Sequence, residues 1–332
     1  MIPLSILDLT PIRQGGTAAA AFHETVDLAQ RAEKWGYHRY WLVEHHNTPG
    51  VAGAATSVLI AHVAAATRTI RVGAGGIMLP NHAPLKVAEQ FGTLAALHPG
   101  RIDLGLGRGI HSDPATLRAL RRLPGAMDAF PQDVQELLDY FHPPHPLPVH
   151  AIPGEGADVP VWILGSSVSG ANLAASLGLP FAFAAHFAPD QLDMAIAAYR
   201  GRFVPSDRCA APHLMLSLTV VAAATDAEAE LLFSSALQAS GGPLPPPVPG
   251  YLDSLSPQRA QIIRNAFRHA AVGGPETVAR HLADFIARYG PDEVIAVGQI
   301  FDPAARRKSF EILSRVHSPA HERPAIAEIN PK

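Results

Sequence analysis

Residues 161–185 read VWILGSSVSGANLAASLGLPFAFAA. An apolar run, Val161 to Leu164, ends on Gly165-Ser166-Ser167. An alanine-rich segment suited to a helix follows, and then a second apolar run, Phe181 to Ala185. Strand, helix and strand in that order make a parallel pair joined by a crossover helix. The same alternation continues in both directions. Upstream lie Leu4 to Leu9, Arg39 to Val43, Ile70 to Val72 with Ile77 to Leu79, and Ile102 to Leu106; downstream lie Leu214 to Val221 and Glu293 to Val297. The first intervening helix carries Phe22, Val26, Ala29 and Ala32 at helical spacing and stops at Gly36, a residue favoured just past a helix end. Two others begin with Asp113-Pro114 and Asp302-Pro303, where Asp can cap and Pro suits the first turn. Eight such units close most economically as a barrel, although an open doubly wound sheet shares the pattern.

The expected class is therefore α/β: a single (β/α)8 TIM barrel over residues 1–320, with a C-terminal tail over 321–332. Loops or helices are inserted after the fourth and seventh strands. Pro143 to Pro160, rich in Pro, Gly and His, interrupts the rhythm first, and GGPLPPPVPG, Gly241 to Gly250, interrupts it again. Loops this long in a compact domain are lids, binding loops or plain surface excursions.

Composition narrows the class of function. Charged residues are 17% of the chain and hydrophobic ones 48%, a balance that favours one large buried core. The formal net charge of −3 lacks the basic face of a nucleic-acid binder. The longest weakly polar stretch, Gly53 to Thr67, contains His62 and is too short to span a bilayer. MIPLSILDLTPIR has no basic lead and is broken by Asp8, so it does not read as a secretion signal. Cys209 is the only cysteine, so folding needs no oxidising compartment, and a cytoplasmic enzyme is expected.

Four segments carry chemistry. Glu44-His45-His46-Asn47 follows the second strand, at the barrel end where active sites are built. A histidine there can move a proton, bind a metal or merely end a strand. VGAGGIMLP, Val72 to Pro80, has glycines inside a strand, which suit a β-bulge or the close approach of a flat ligand. GRIDLGLGRG, Gly100 to Gly109, lacks the G-x-G-x-x-G spacing of a dinucleotide site; it leaves a bare strand end with Arg108 beside it, suited to an anion or to solvent. Gly165-Ser166-Ser167 opens a helix whose free N–H groups and hydroxyls can hold a phosphate or simply cap the helix. A metal hydrolase using His45, His46, His82 or His111 has no tight ligand spacing or acidic partner set in the sequence, and no metal is expected.

Taken together, YWLVEHHN (Tyr40 to Asn47), VGAGGIMLPNHAP (Val72 to Pro84), EQFGTLAALHPGRIDLGLGRG (Glu89 to Gly109) and LGSSVSGANLAASLGLPFAFAAHFAP (Leu164 to Pro189) resemble the luciferase-like flavin monooxygenase superfamily. The resemblance runs from about Leu4 to Val316. It implies an FMN-dependent monooxygenase that uses reduced flavin and O2 on a small organic substrate. It also implies an active-site role for His45 and cofactor contacts from Gly75, Gly76, Arg108, Ser166 and Ser167; beside His45, Glu44 is expected to assist catalysis and Asn47 to contact the cofactor by orienting the local backbone or ring. Gly75-Gly76 stands where the family places a non-proline cis peptide against which the flavin ring packs. Two departures are visible: Gly170 stands where relatives often carry a hydroxyl, and Gly107 where the luciferase has a reactive cysteine. An F420-dependent dehydrogenase and a non-catalytic flavin-binding barrel share the fold. A separate NAD(P)H:flavin reductase is the expected electron supplier. A homodimer through Gly53 to Thr67 and Leu85 to Leu97 is expected by resemblance. Pocket walls are expected after Leu9, Gly109 and Ala185 and from Gly241 to Tyr251.

Overall fold

Eight parallel strands close on themselves. In the computed structural model, which describes residues 1–109, 113–122 and 126–317, the strands are β1 (Leu4–Asp8), β2 (Arg39–Leu42), β3 (Arg71–Met78), β4 (Ile102–Gly107), β5 (Val161–Gly165), β6 (Phe181–Phe183), β7 (Leu214–Ala222), β8 (Ala271–Gly273) and β9 (Glu293–Val297). The ring runs β1 to β7 in order and is completed by β9, which pairs with both β7 and β1. β8 lies outside the ring and pairs only with the last residues of β7, Val220 to Ala222. The eight apolar runs of the sequence are the eight ring strands. The third is one continuous strand rather than two halves, with a register shift between Gly75 and Ile77.

Helices pack around the ring: α1 (Ala18–Lys34), α2 (Thr56–Ala66), α3 (Pro84–Leu97), α4 (Pro114–Ala119), α5 (Phe130–Phe141), α6 (Val168–Ser176), α7 (Leu192–Arg202), α8 (Asp226–Gln238), α9 (Pro257–Ala266), α10 (Pro275–Tyr289) and α11 (Pro303–His317). Their starts follow from local chemistry. Thr17 caps α1 and Ser167 caps α6. Asp113 accepts from the Ala115 and Thr116 N–H groups at the head of α4, and Asp302 from Ala305 N–H at the head of α11. Each cap satisfies N–H groups that have no partner in the helix ladder.

Alternate strand residues face inward and fill the barrel in layers. At the amino ends of the strands sits a charged layer. Arg39 donates to Asp103 at 2.7 Å and to Glu293 at 3.0 Å, and Arg71 donates to Asp103 at 2.6 Å. Ser5 also donates to Glu293. Above it, Leu7, Trp41, Trp162, Met215 and Ile295 form an apolar plug, with the two indoles edge to face at 5.4 Å. β3 gives way to this plug. A Cβ on Gly73 would lie 2.6 Å from the Asp103 carbonyl oxygen and 2.8 Å from Trp41 Nε1. Gly73→Ala is therefore expected to lower stability by about 1–3 kcal/mol through overpacking. Urea denaturation measures this, and an unchanged midpoint would show that the plug yields freely.

Both expected insertions are present. After β4 come α4, a short 3-10 turn and α5; the chain then passes α3, where Gly92 lets the backbone of Gly154 approach. After β7 come α8, a proline-rich loop, α9 and β8. That loop is tied down: Leu244 N–H donates to the Ile12 carbonyl, Gln14 N–H to the Leu244 carbonyl, and Gly50 N–H to the Gly241 carbonyl. It clasps the segments that follow β1 and β2. The C-terminal tail 321–332 lies outside the described residues.

Candidate active site at the carboxyl ends of the strands

Above the apolar plug the strands open into a cavity of about 500 Å³. Its base is Leu7 and Trp41; one wall is the bare backbone of Gly75 and Gly76, whose peptide bond is cis. Arg108, Ser166 and Ser167 line it from β4, β5 and the head of α6. Glu44 and His45 line it from the end of β2. His186 and Phe187, after Ala185, contribute a wall as expected; Leu9 lines the cavity but the described loop that follows it does not, the residues just after Gly109 lie outside the described ones, and Gly241 to Tyr251 is not among the described lining residues. The clasp described above holds that loop over neighbouring segments instead.

Asn47 requires a correction. It does not line the cavity; its side-chain amide donates to Asp113 at 3.1 Å on the exposed surface. The backbone explains this: Asn47 sits at φ +51, in the left-handed region, and turns the chain outward after His46. Asn47 thus ties the β2 end to the head of α4.

Glu44 is buried, with 1% of its side chain exposed. One carboxylate oxygen accepts from His46 Nε2 at 2.8 Å and from His82 Nε2 at 2.9 Å; the other accepts from Met78 N–H at 3.1 Å. Burial alone would push this carboxyl up. The two histidine hydrogen bonds, the His82 charge and the Met78 N–H outweigh burial and hold it at about 2. Glu44 is therefore ionised at neutral pH and has no proton to give. It works as a brace between the ends of β2 and β3. Because its folded value lies below the usual 4.5, its contribution to stability is fully present above pH 4.5 and is lost as pH falls toward 2. Glu44→Gln should flatten stability against pH across that interval; equal slopes in urea melts of both chains would contradict this.

The acidic partner that the histidines lacked in the sequence is thus Glu44 itself. Glu44, His46 and His82 bring donor atoms within 4.8 Å of one another, a set that can hold a divalent ion. In the structure these atoms are joined by hydrogen bonds. His111 lies outside the described residues.

His45 opens into the cavity, with its side chain exposed there rather than packed away. Burial lowers its pKa, with Glu44 raising it in part and His46 adding to the lowering. Its neighbour His46 is pushed up, chiefly by the hydrogen bond to Glu44. At the head of α6, Ser167 Oγ accepts from Gly170 N–H at 3.4 Å, while Ser166 and Ser169 hydroxyls also line the cavity. Ser169 was not foreseen; it supplies a hydroxyl beside Gly170, where the family's was missing. His186 and Ser217 were also missed. The signal for Ser217 is present in the sequence, as one of two small polar residues, with Thr219, on the inward period of Leu214 to Val221.

A profile of luciferase-like monooxygenases matches residues 2–293. The chain belongs to the luciferase-like monooxygenase family. It is thereby a flavin-dependent oxidoreductase. Among luciferase-like monooxygenases, the Escherichia coli K12 protein of that description is 50% identical over 320 residues, spanning 94% of this chain and 96% of its own. Apo-MsnO8, a crystal structure, is 34% identical with a TM-score of 0.84, covering 95% of this chain and 98% of its own. The oxygenating constituent of 3,6-diketocamphane monooxygenase from Pseudomonas putida, solved with FMN, has a TM-score of 0.71 at 19% identity; it covers 97% of this chain and 99% of its own and shares the fold. Among the described residues, no helix is long and apolar enough to cross a membrane.

Proposed function

We propose that this luciferase-like monooxygenase binds reduced FMN in the cavity and oxygenates a small, mainly apolar organic substrate. The observation that carries this reading is convergence: Arg108 and the serine-bearing head of α6 share one cavity with the bare Gly75–Gly76 backbone and His45. The groups fit the cofactor. A guanidinium, free helix-end N–H groups and hydroxyls suit a phosphate, and side-chain-free backbone suits a flat ring. Arg108 has no ion-pair or hydrogen-bond partner among the described residues, so it is available to an anion. Bound reduced FMN supplies the electrons with which O2 is activated. The chain itself holds the ring, excludes water with its apolar walls, and presents the His45 imidazole to take or return a proton in the cavity.

Anaerobic titration with reduced FMN, and separately with reduced F420, followed by admission of air, tests the reading. Saturable FMN binding and O2 consumption support it. Preference for F420 without O2 consumption assigns a dehydrogenase and overturns it, and FMN binding without oxygen chemistry reduces the chain to a carrier. Arg108→Ala should weaken FMN binding about tenfold or more, since one charge-assisted contact is lost. An unaltered titration would place the phosphate elsewhere. A separate NAD(P)H:flavin reductase supplies the reduced cofactor in this reading. A homodimer forms through α2 and α3, where Val58 and Leu97 are 66% and 64% exposed.

A further inference from the structure

His186 lines the cavity just beyond β6 and has no part in the account so far. Its Nδ1 lies 2.5 Å from Ser217 Oγ, and its own backbone N–H donates to that oxygen at 3.2 Å. A serine hydroxyl has one hydrogen and two acceptor sites. The backbone N–H occupies an acceptor site, and Nδ1 is the acceptor within reach of the hydroxyl hydrogen. Donation from Ser217 to Nδ1 is the arrangement that gives the hydroxyl hydrogen an acceptor among the described residues; it puts the ring proton on Nε2, and nitrogen-15 spectra test it. Nε2–H has no partner among the described residues and is the edge of the ring left for the cavity.

Burial, and then the facing charge of His45, lower the His186 pKa to about 4, so the ring is neutral at pH 7. A neutral imidazole N–H polarises an uncharged oxygen without calling for a carboxylate. Two carboxylates line the cavity, but Glu44 is already held by His46 and His82, and Asp128 lies on the exposed 3-10 turn after β4. Arg108 is the only Arg or Lys among the described lining residues and stands on the phosphate side, while Phe183 and Phe187 flank His186 in sequence and also line the cavity.

We propose that His186, oriented by Ser217, anchors a carbonyl-type oxygen of the substrate, which makes the substrate class neutral ketones, esters or amides with an apolar body. The inference rests on the cavity being the reaction chamber of the proposed function.

The test compares cyclohexanone with methylenecyclohexane, the same ring without the oxygen, with and without bound FMN. Tryptophan fluorescence reports binding, because Trp41 lines the cavity. The wild type and Ser217→Thr should bind the ketone about tenfold more tightly than the hydrocarbon, the worth of one hydrogen bond. His186→Phe should abolish that preference, and Ser217→Ala should weaken it. Nitrogen-15 spectra of the wild type at pH 7 should show a neutral ring protonated on Nε2. An Nδ1–H ring, a wild type without ketone preference, or a preference that survives in His186→Phe overturns the proposal. If His186→Phe does not fold, the wild-type tautomer and preference still decide. Ketone preference in the flavin-free chain together with failure to bind FMN would sink the flavin reading and leave His186 standing.

Discussion

His45→Ala lowers the rate of oxygenation about 100-fold or more while affinity for reduced FMN stays close to that of the wild type. The asymmetry follows from placement. His45 stands at the end of β2 inside the cavity, whereas the phosphate contacts we propose come from Arg108 and the head of α6. Burial keeps the His45 imidazole neutral near pH 7, so it can accept a proton there. Glu44 holds His46 and His82 rather than His45, so removing the His45 ring leaves that brace intact. Stopped-flow mixing of the reduced, loaded enzyme with O2 reads the rate, and anaerobic titration reads the affinity. An unchanged rate would remove His45 from the chemistry; a parallel loss of affinity would make it a binding residue.

Asp103→Ala costs about 3–5 kcal/mol of stability, the loss expected when one partner of a buried ion-pair layer is removed. Asp103 is fully buried and accepts from Arg39, from Arg71 and from Trp41 Nε1 at 3.2 Å. Removing it takes the counter-charge from Arg71, which keeps only the Gly100 and Ile102 carbonyls, leaves Glu293 as the one carboxylate on Arg39, and frees the indole N–H that helps seat the plug. Breaking one partner of a buried ion pair is far more damaging than replacing the whole set, because the remaining charge has lost both water and counter-charge. Urea denaturation measures the loss, with an unchanged m-value as the sign that the unfolded ensemble is the same. A loss below about 1 kcal/mol would mean that water reaches the layer and solvates the arginines.

Much of the barrel is legible because each ring strand is a short apolar run between helical segments. β3 reads as two pieces in the sequence for a physical reason. Its inward positions Gly73 and Gly75 carry no side chain because Trp41 occupies that space, so hydrophobic patterning vanishes where the packing is tightest. β8 is invisible as a pattern: three residues, Ala271 to Gly273, are held by pairing to the end of β7. Around the cavity, residues at strand ends could be placed because the closed barrel fixes where those ends meet. Contacts that join distant segments could not. The Glu44–His82 hydrogen bond spans 38 residues, and the His186–Ser217 contact depends on two neighbouring strands whose register is not written locally. Asn47 misled for the opposite reason, since adjacency to His46 says nothing about a backbone that reverses there.

The account stands on a single chamber shared by the ends of β2 through β5. A crystal structure of the protein soaked with FMN tests this most directly. The account predicts the phosphate at Arg108, Ser166 and Ser167, with the ring lying along Gly75–Gly76 within reach of His45. A phosphate seated elsewhere, or a ring that leaves the Gly75–Gly76 wall bare, would contradict it.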